Sequence, residues 1–290
     1  MERGDSVTGI DRRPNTWTNR IDTRLMDLTK AAPEQFPADR KFDVVVHFAA
    51  NAKVFELVEH PERAMDNITM LFNVLNYCRI HSLPIIFSSS REVYGDIHRH
   101  VTDEAAADFV IAESPYSASK IAGEALIYSF AQCYDLPFLV FRFSNVYGRY
   151  DNDLERMERV IPLFLDRIAR DQAIVVFGRE KTLDFTYVDD CVSGVMKGID
   201  ALVDRRVVGQ TVNLACGHGS TLVDVVNILA LALGKTPQVT YEPSRVGEVT
   251  RYVADITKAR ELLGYDPQIP LSSGLIKCVE WSRKQRGEKR

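Results

Sequence analysis

Short apolar runs alternate with longer segments of helical periodicity over the first half of the chain. Three runs, at 42–48, 83–87 and 137–143, are apolar on both faces, and each predicts a strand buried on both sides. The segments between them predict helices at 61–80 and 115–134. This order of elements indicates an α/β fold in which helices cover a parallel sheet.

The second half of the chain has a different order of elements. There we predict strands at 173–177 and 185–188. We also predict a helix that begins at 162, a helix at 221–233 that ends at Gly234, and a short helix at 256–263. We interpret 1–145 as one domain, to which strands near 185–190 and 211–216 return. The remainder, 146–290, is then mainly a smaller α+β lobe.

Composition narrows the possible partners. The 290 residues carry a net charge of −4, which gives no basic face for nucleic acid. No apolar run is long enough to cross a membrane. The five cysteines are scattered and the six histidines lack metal-ligand spacing, so we expect reduced thiols, a cytoplasmic location and no metal.

The segment Tyr116-Ser117-Ala118-Ser119-Lys120 carries the strongest chemical signal. Tyr116 and Lys120 lie four residues apart and share one face of the predicted helix. An ammonium group beside a phenol favours the phenolate, which can remove a proton from a sugar hydroxyl. The serine run that ends the strand at 83–87 could hold the same substrate oxygen. Taken singly, the pair could be a surface pair and the run a serine-rich loop.

Asp11 follows a predicted strand at 6–10. A carboxylate at that position suits the two hydroxyls of a ribose, although a turn aspartate is an equal alternative. In dinucleotide-binding folds this acidic residue comes about 20 residues after a glycine-rich loop, and counting back from Asp11 runs off the chain. We therefore expect the first strand, its phosphate loop and most of the first helix to be missing.

Several motifs in one order make the chain resemble the extended short-chain dehydrogenase/reductase superfamily, and within it the nucleotide-sugar epimerases and dehydratases of the UDP-glucose 4-epimerase type. The motifs are Asp43-Val44-Val45-Val46-His47-Phe48-Ala49-Ala50, Asn67, the segment 88–95, Tyr116–Lys120, the segment 142–148, the segment 184–190 and Arg245-Val246-Gly247-Glu248. The resemblance implies a Rossmann-type doubly wound sheet and an NAD cofactor.

The same resemblance implies roles for individual residues. It makes Tyr116 the base, Lys120 its partner and Ser90 the hydroxyl that assists at the sugar. The residues implied to contact NAD are Asp11, Asp27, Leu28, Phe48, Ala49, Ala50, Asn67, Ser88, Tyr116 and Lys120. The residues implied to contact the substrate are Ser90, Glu92, Asn145 and Arg245. Asp184 and the pair Asp189-Asp190 are expected to be structural.

Departures from the family pattern leave more than one reaction type possible. Leu183 stands where many members have an arginine, and Arg91 replaces an aspartate typical of 4,6-dehydratases. Glu92 matches a glutamate of dehydratases and UDP-glucuronate decarboxylases. We expect a homodimeric, NAD-dependent nucleotide-sugar 4-epimerase that acts through a 4-keto sugar. The alternatives are a UDP-glucuronate decarboxylase or other dehydratase, and a non-catalytic truncated chain that binds only the sugar nucleotide.

Overall fold

The computed structural model describes residues 3–38, 41–94, 112–151, 154, 159–245 and 248–287. Within them the strands are β1 (Thr8–Asp11), β2 (Asp22–Leu25), β3 (Val45–His47), β4 (Ile85–Ser90), β5 (Phe138–Phe143), β6 (Asn145–Tyr147), β7 (Ile174–Phe177), β8 (Thr182–Tyr187), β9 (Gln210–Leu214), β10 (Gly219–Thr221), β11 (Val239–Glu242) and β12 (Arg251–Tyr252). The helices are α1 (Val54–Glu59), α2 (Glu62–His81), α3 (Pro115–Tyr134), α4 (Val160–Ala169), α5 (Val188–Val203), α6 (Leu222–Leu233), α7 (Thr257–Leu263) and α8 (Leu271–Gln285).

A parallel sheet in the order β3-β4-β5-β9 forms the centre of the molecule. Its strands are buried on both faces, and successive residues face opposite layers. Ile86 and Phe141 belong to a core shared with α5 and α7. Phe87 and Val140 belong to a core shared with α2 and α3. Helices on both faces of a parallel sheet confirm the predicted α/β, Rossmann-type class.

The strands β1 and β2 pair in parallel as a separate sheet of two strands. Among the described residues, β1 pairs only with β2, and β3 has β4 as its one neighbour. Both β1 and the segment containing β3 line the same large cavity. The classic doubly wound order 3-2-1-4-5-6 would place one strand between these two edges.

The last part of the chain forms its own lobe. The strand β8 pairs with β10, β12 and β6, and β7 pairs with β11. Side chains from α4, α6 and α8 complete a core around these strands. The prediction that the strand near 185–190 returns to the main sheet is therefore wrong. The strand near 211–216 does return, because β9 pairs with β5. The domain boundary at 145/146 stays a prediction.

Candidate functional site

Tyr116 and Lys120 lie on the first turns of α3, where the helix packs against β4. The helix begins at Pro115 because Ser114 caps it: the Ser114 Oγ accepts from the Ser117 amide at 3.1 Å, and the Ser117 Oγ accepts from the Ser114 amide at 2.9 Å. Tyr116 and Lys120 are 8% and 3% exposed. Both line the large cavity together with Ser90. The structure thus brings the three predicted catalytic side chains to one wall.

The Lys120 ammonium is fixed at the carboxyl end of β4. Its Nζ donates to the carbonyl of Ser88 at 2.6 Å and lies 5.7 Å from the centroid of the Tyr116 ring. Burial lowers the pKa of Lys120 to about 8, and the nearby Glu124 charge opposes that effect. At neutral pH the group is still mostly protonated, so it supplies a positive charge at the site.

The Tyr116 phenol is neutral in this environment. Burial raises its pKa to about 12, a hydrogen bond with Ser90 lowers it, and the Glu92 charge raises it. The positive charge of Lys120 does not offset the effect of burial on the pKa of Tyr116. Formation of the phenolate therefore requires a further positive charge close to Tyr116.

A buried ionic network lies behind Ser90, Tyr116 and Lys120 and was missed from the sequence. The Ser89 Oγ donates to Glu124 Oε1 at 2.5 Å, and Arg142 donates to Glu124 Oε1 and Oε2 at 3.0 and 2.7 Å. These contacts tie α3 to β4 and β5. The one sequence signal was the position of Glu124, four residues after Lys120 on the same helix face.

Asn67 lies outside the cavity wall and joins neighbouring segments through hydrogen bonds. Its Oδ1 accepts from the Asn51 amide at 2.6 Å, and its Nδ2 donates to the Asn51 carbonyl and to Ser119 Oγ, each at 3.1 Å. The contacts join α2, α3 and the segment after β3. Asn67 thereby fixes the backbone of Asn51, and its predicted contact with NAD stays a prediction.

The other residues predicted for a dinucleotide divide into two groups. Those lining the cavity are Asp11, Leu28, Phe48, Ala49, Ala50 and Ser88. Asp11 ends β1, and its Oδ1 accepts from the Arg13 amide at 2.9 Å. Asp27 is not among the residues that line the cavity. Its Oδ1 accepts from the amide and hydroxyl of Thr29 at 3.0 and 2.7 Å, and these contacts lower its pKa.

The cavity has a volume of about 1600 Å³, runs along β1 and β3, and reaches the carboxyl ends of β1, β3 and β4. Such strand ends are where open α/β sheets bind ligands. A volume above the usual range of roughly 300–1000 Å³ leaves room for more than one small molecule. Four residues predicted for the substrate, Ser90, Glu92, Asn145 and Arg245, also line it.

The residues predicted to contact the substrate combine amide, cation and carboxyl groups. Asn145 Nδ2 donates to the Asp184 carbonyl at 3.1 Å, which leaves its carbonyl oxygen for other partners. The Arg245 guanidinium lies 4.0 Å from the centroid of the Phe177 ring and 5.4 Å from that of Phe55. A guanidinium group close to two aromatic rings suits a diphosphate. Residues 246–247 of the predicted motif lie outside the described residues.

Two aspartates of the motif at 184–190 hold backbone segments together, as predicted. Asp184 is fully buried, and its two oxygens accept from the amides of Cys216 and Gly217, both at 2.8 Å. Asp190 accepts from the amides of Gln268 and Ile269 at 3.0 and 2.8 Å. Their carboxylates are engaged by the backbone and serve the fold of the second lobe.

Two negative observations concern membranes and metals. Among the described residues, no helix combines the length and hydropathy needed to cross a bilayer. Within the same part of the chain, no three histidine, cysteine or acidic side chains come together as metal ligands.

Comparisons with known proteins agree with this geometry. A model of the NAD dependent epimerase/dehydratase family matches residues 1–215. A putative UDP-glucose 4-epimerase of Methanocaldococcus jannaschii is 31% identical over 245 residues, which cover 83% of this chain and 77% of that protein.

Solved structures are similar over nearly the whole chain. The UDP-glucose 4-epimerase of Thermotoga maritima with UDP-glucose superposes with a TM-score of 0.89 at 28% identity, and covers 98% of this chain and 93% of its own. The UDP-glucuronic acid 4-epimerase of Bacillus cereus, in complex with UDP-glucuronic acid and NAD, gives a TM-score of 0.85 at 25% identity, with coverages of 96% and 91%.

Proposed function

The chain belongs to the NAD dependent epimerase/dehydratase family, and we propose that it is a nucleotide-sugar 4-epimerase. The observation that supports this most strongly is the convergence of Ser90, Tyr116 and Lys120 on one wall of the cavity. A hydroxyl, a phenol and an ammonium at one point suit the removal of a proton from a secondary alcohol while hydride leaves the same carbon.

The family is NAD-dependent, and part of this cavity fits that cofactor. Asp11 offers a carboxylate at the end of β1 for ribose hydroxyls, and Lys120 and Tyr116 line the same cavity. The 290-residue sequence contains no glycine-rich fingerprint for the diphosphate. When bound, NAD would supply a hydride acceptor for C4 of the sugar and, as NADH, a hydride donor for the reverse transfer.

In the proposed mechanism, Tyr116 takes the proton of the sugar 4-hydroxyl. Ser90 holds the same oxygen and keeps it within reach of the phenolate. Lys120 remains protonated and stabilises the negative charge. A second positive charge ~4 Å from the Tyr116 oxygen would stabilise the phenolate by about 4 kcal/mol at an effective dielectric constant of ~20. This stabilisation increases the phenolate population roughly a thousandfold.

Replacement of Tyr116 by phenylalanine tests this role. We expect Tyr116→Phe to lower turnover of UDP-glucose by at least ~100-fold and to leave its affinity for UDP nearly unchanged, since acid–base groups contribute about 10²–10⁴. Tyr128→Phe is the matched control on the same helix, because its hydroxyl contacts Thr211 at 2.7 Å on the outer side. A Tyr116→Phe variant with full activity would refute the assignment.

A second candidate is a chain that binds the sugar nucleotide without catalysis. It is supported by the separation of β1–β2 from the main sheet and by the lack of a glycine-rich fingerprint. Equilibrium dialysis with NAD and with UDP separates the two candidates. Binding of both ligands supports the enzyme, whereas binding of UDP alone supports the non-catalytic chain.

Decarboxylation of UDP-glucuronate is the enzymatic alternative, and buried Glu92 beside Ser90 supports it. The Glu92 amide donates to Ser90 Oγ at 3.2 Å, and the Glu92 charge acts on the Tyr116 phenol. Product analysis separates the two reactions, because decarboxylation releases CO2 and shortens the sugar to a pentose, while epimerisation keeps all carbons.

We also propose that the chain forms a homodimer through α2 and α3. Large apolar side chains on these helices are exposed, among them Met65 at 61%, Phe72 at 44%, Ile80 at 52% and Tyr134 at 53%. Several exposed large apolar side chains on two helices that pack together are typical of an interface. Light scattering should give twice the chain mass, and Phe72→Glu should give the mass of one chain; a monomeric parent protein would refute this proposal.

A further inference from the structure

Arg245 is a cation on the cavity wall that has no acidic partner. Among the described residues, no carboxylate forms an ion pair with its guanidinium group. Glu248, three residues further along the chain, donates its amide to the Arg245 carbonyl at 3.3 Å, but its carboxylate is paired with Lys181. A guanidinium group that lines a cavity without a counterion is available for an anionic ligand.

Two phenylalanine rings from different parts of the fold lie close to this guanidinium group. The Arg245 Cζ is 4.0 Å from the centroid of the Phe177 ring and 5.4 Å from that of the Phe55 ring. Both distances are within the roughly 6 Å at which an aromatic ring attracts a cation. Phe177 belongs to β7 of the second lobe, whereas Phe55 belongs to α1, which directly precedes α2. The contact between Arg245 and Phe55 therefore joins the two lobes at the cavity.

The helix α1 is fixed on one side and presents Phe55 on another. Leu57 is fully buried and packs in a small core with Ala64 of α2 and the proposed base Tyr116. Phe55 is 39% exposed and lines the cavity. Residues two apart on a helix do not share a face, so α1 packs against the catalytic wall with one side and reaches Arg245 with another.

We propose that Phe55 is a positioning residue for the diphosphate of the substrate, because it holds the Arg245 guanidinium group at the cavity wall before the ligand binds. This inference rests on the proposed function, since it takes Arg245 to contact the diphosphate of a sugar nucleotide. An arginine side chain loses considerable rotamer freedom when a ligand orders it. The contact with Phe55 restricts Arg245 in the free protein, so less affinity is lost on binding.

Binding of UDP and uridine to the full chain with NAD added tests the proposal. Calorimetry measures UDP directly, and displacement of UDP measures uridine. Phe55→Ala should weaken UDP roughly 2–5-fold, as expected for one exposed cation–π contact, and should leave uridine unchanged because uridine has no phosphates. Val58→Ala is the matched control, since Val58 is an exposed apolar residue of α1 that does not line the cavity, and it should bind UDP like the parent protein.

Conservative variants separate the aromatic ring from its bulk. Phe55→Tyr keeps the ring and should bind UDP within about twofold of the parent protein. Phe55→Leu keeps an apolar side chain without a ring and should lose as much affinity as Phe55→Ala. Full affinity in Phe55→Leu would show that only packing matters, and this result would overturn the proposal.

A double-mutant cycle shows whether Phe55 acts through Arg245. Arg245→Gln should weaken UDP by roughly 10–100-fold, as expected for a charge-assisted contact. Phe55→Ala should cause no further loss when it is added to Arg245→Gln, because the group that the ring positions is then absent. Additive losses of UDP affinity, or an equal loss of uridine in Phe55→Ala, would show that Phe55 acts on the nucleotide by another route and would overturn the proposal.

The binding readout separates this inference from the proposed function. UDP binding that depends on the coupled pair Phe55 and Arg245, in a protein that epimerises no sugar, leaves the positioning role in place and refutes the epimerase. Epimerisation of UDP-glucose together with additive losses in the cycle does the reverse. A parent protein that does not bind UDP would overturn both.

Discussion

Burial of His47 should make the free energy of unfolding fall in acid, and a single substitution should remove this contribution. The side chain ends β3 and is 4% exposed, and its ring stacks on Phe87 at a centroid distance of 6.1 Å. Burial lowers the pKa of His47 to about 3, and the Lys120 charge acts in the same direction. The native protein therefore keeps this imidazole neutral where the unfolded chain protonates it.

The sign and size of the effect follow from proton linkage. The folded pKa lies below the ordinary value of 6.5, so the neutral form favours the native state fully above pH 6.5. That contribution is lost as the pH falls from 6.5 toward 3, by about 1.4 kcal/mol for each pH unit. Between pH 7.5 and 5.5 His47 alone should cost about 1.4 kcal/mol of unfolding free energy.

Urea unfolding of the parent protein and His47→Phe at the two pH values measures this cost. Both proteins lose stability from other groups, but the parent should lose about 1.4 kcal/mol more than the variant. Any strain from the larger ring is the same at both pH values and cancels in the difference. His218→Gln, at an exposed histidine, should follow the parent. Equal losses in the parent and His47→Phe would refute the reasoning.

Three further predictions concern packing and buried charge. Gly123→Ala places a methyl group 2.6 Å from the tip of Phe87 and should lower the unfolding free energy by roughly 1–3 kcal/mol in urea titrations; unchanged stability would show that the ring moves freely. Glu124→Gln leaves buried Arg142 without its counterion and should cost about 3–5 kcal/mol, seen as a lower melting temperature. Asp190→Ala removes two backbone contacts and should cost about 1.5–3 kcal/mol by urea unfolding, and a loss below ~0.5 kcal/mol would contradict its structural role.

The bounds of a helix could be predicted from the sequence where capping residues stand at both of its ends. The helix α3 was predicted with the bounds it has, because Ser114 and Pro115 start it and Asp135, with a φ of 52°, ends it. The helices α5 and α8 were missed. Tyr187 and Pro270 precede them without a side-chain cap, so the strongest start signal was absent, and the acidic pair Asp189-Asp190 in the first turn of α5 was not used.

Sheet membership and burial could not be derived from the same patterns. The apolar run of β8 resembled a strand of the main sheet, because hydrophobicity shows that a strand is buried but not which neighbour it pairs with. The positions of Ser90, Tyr116 and Asp11 at strand ends or helix starts followed from the order of elements. The raised pKa of Tyr116 and the ion pair of Glu124 depend on packing from distant segments, which one sequence does not reveal.

The central claim is that a sugar is oxidised and reduced again at C4 within one cavity. The most direct test supplies NAD-loaded protein with UDP-glucose and UDP-glucuronate that carry deuterium at C4, in ordinary water, and analyses the products by NMR. The account predicts a 4-epimer that keeps the deuterium at C4, because the hydride returns to the carbon it left. Loss of the label to water, or no epimer from either sugar, would contradict it.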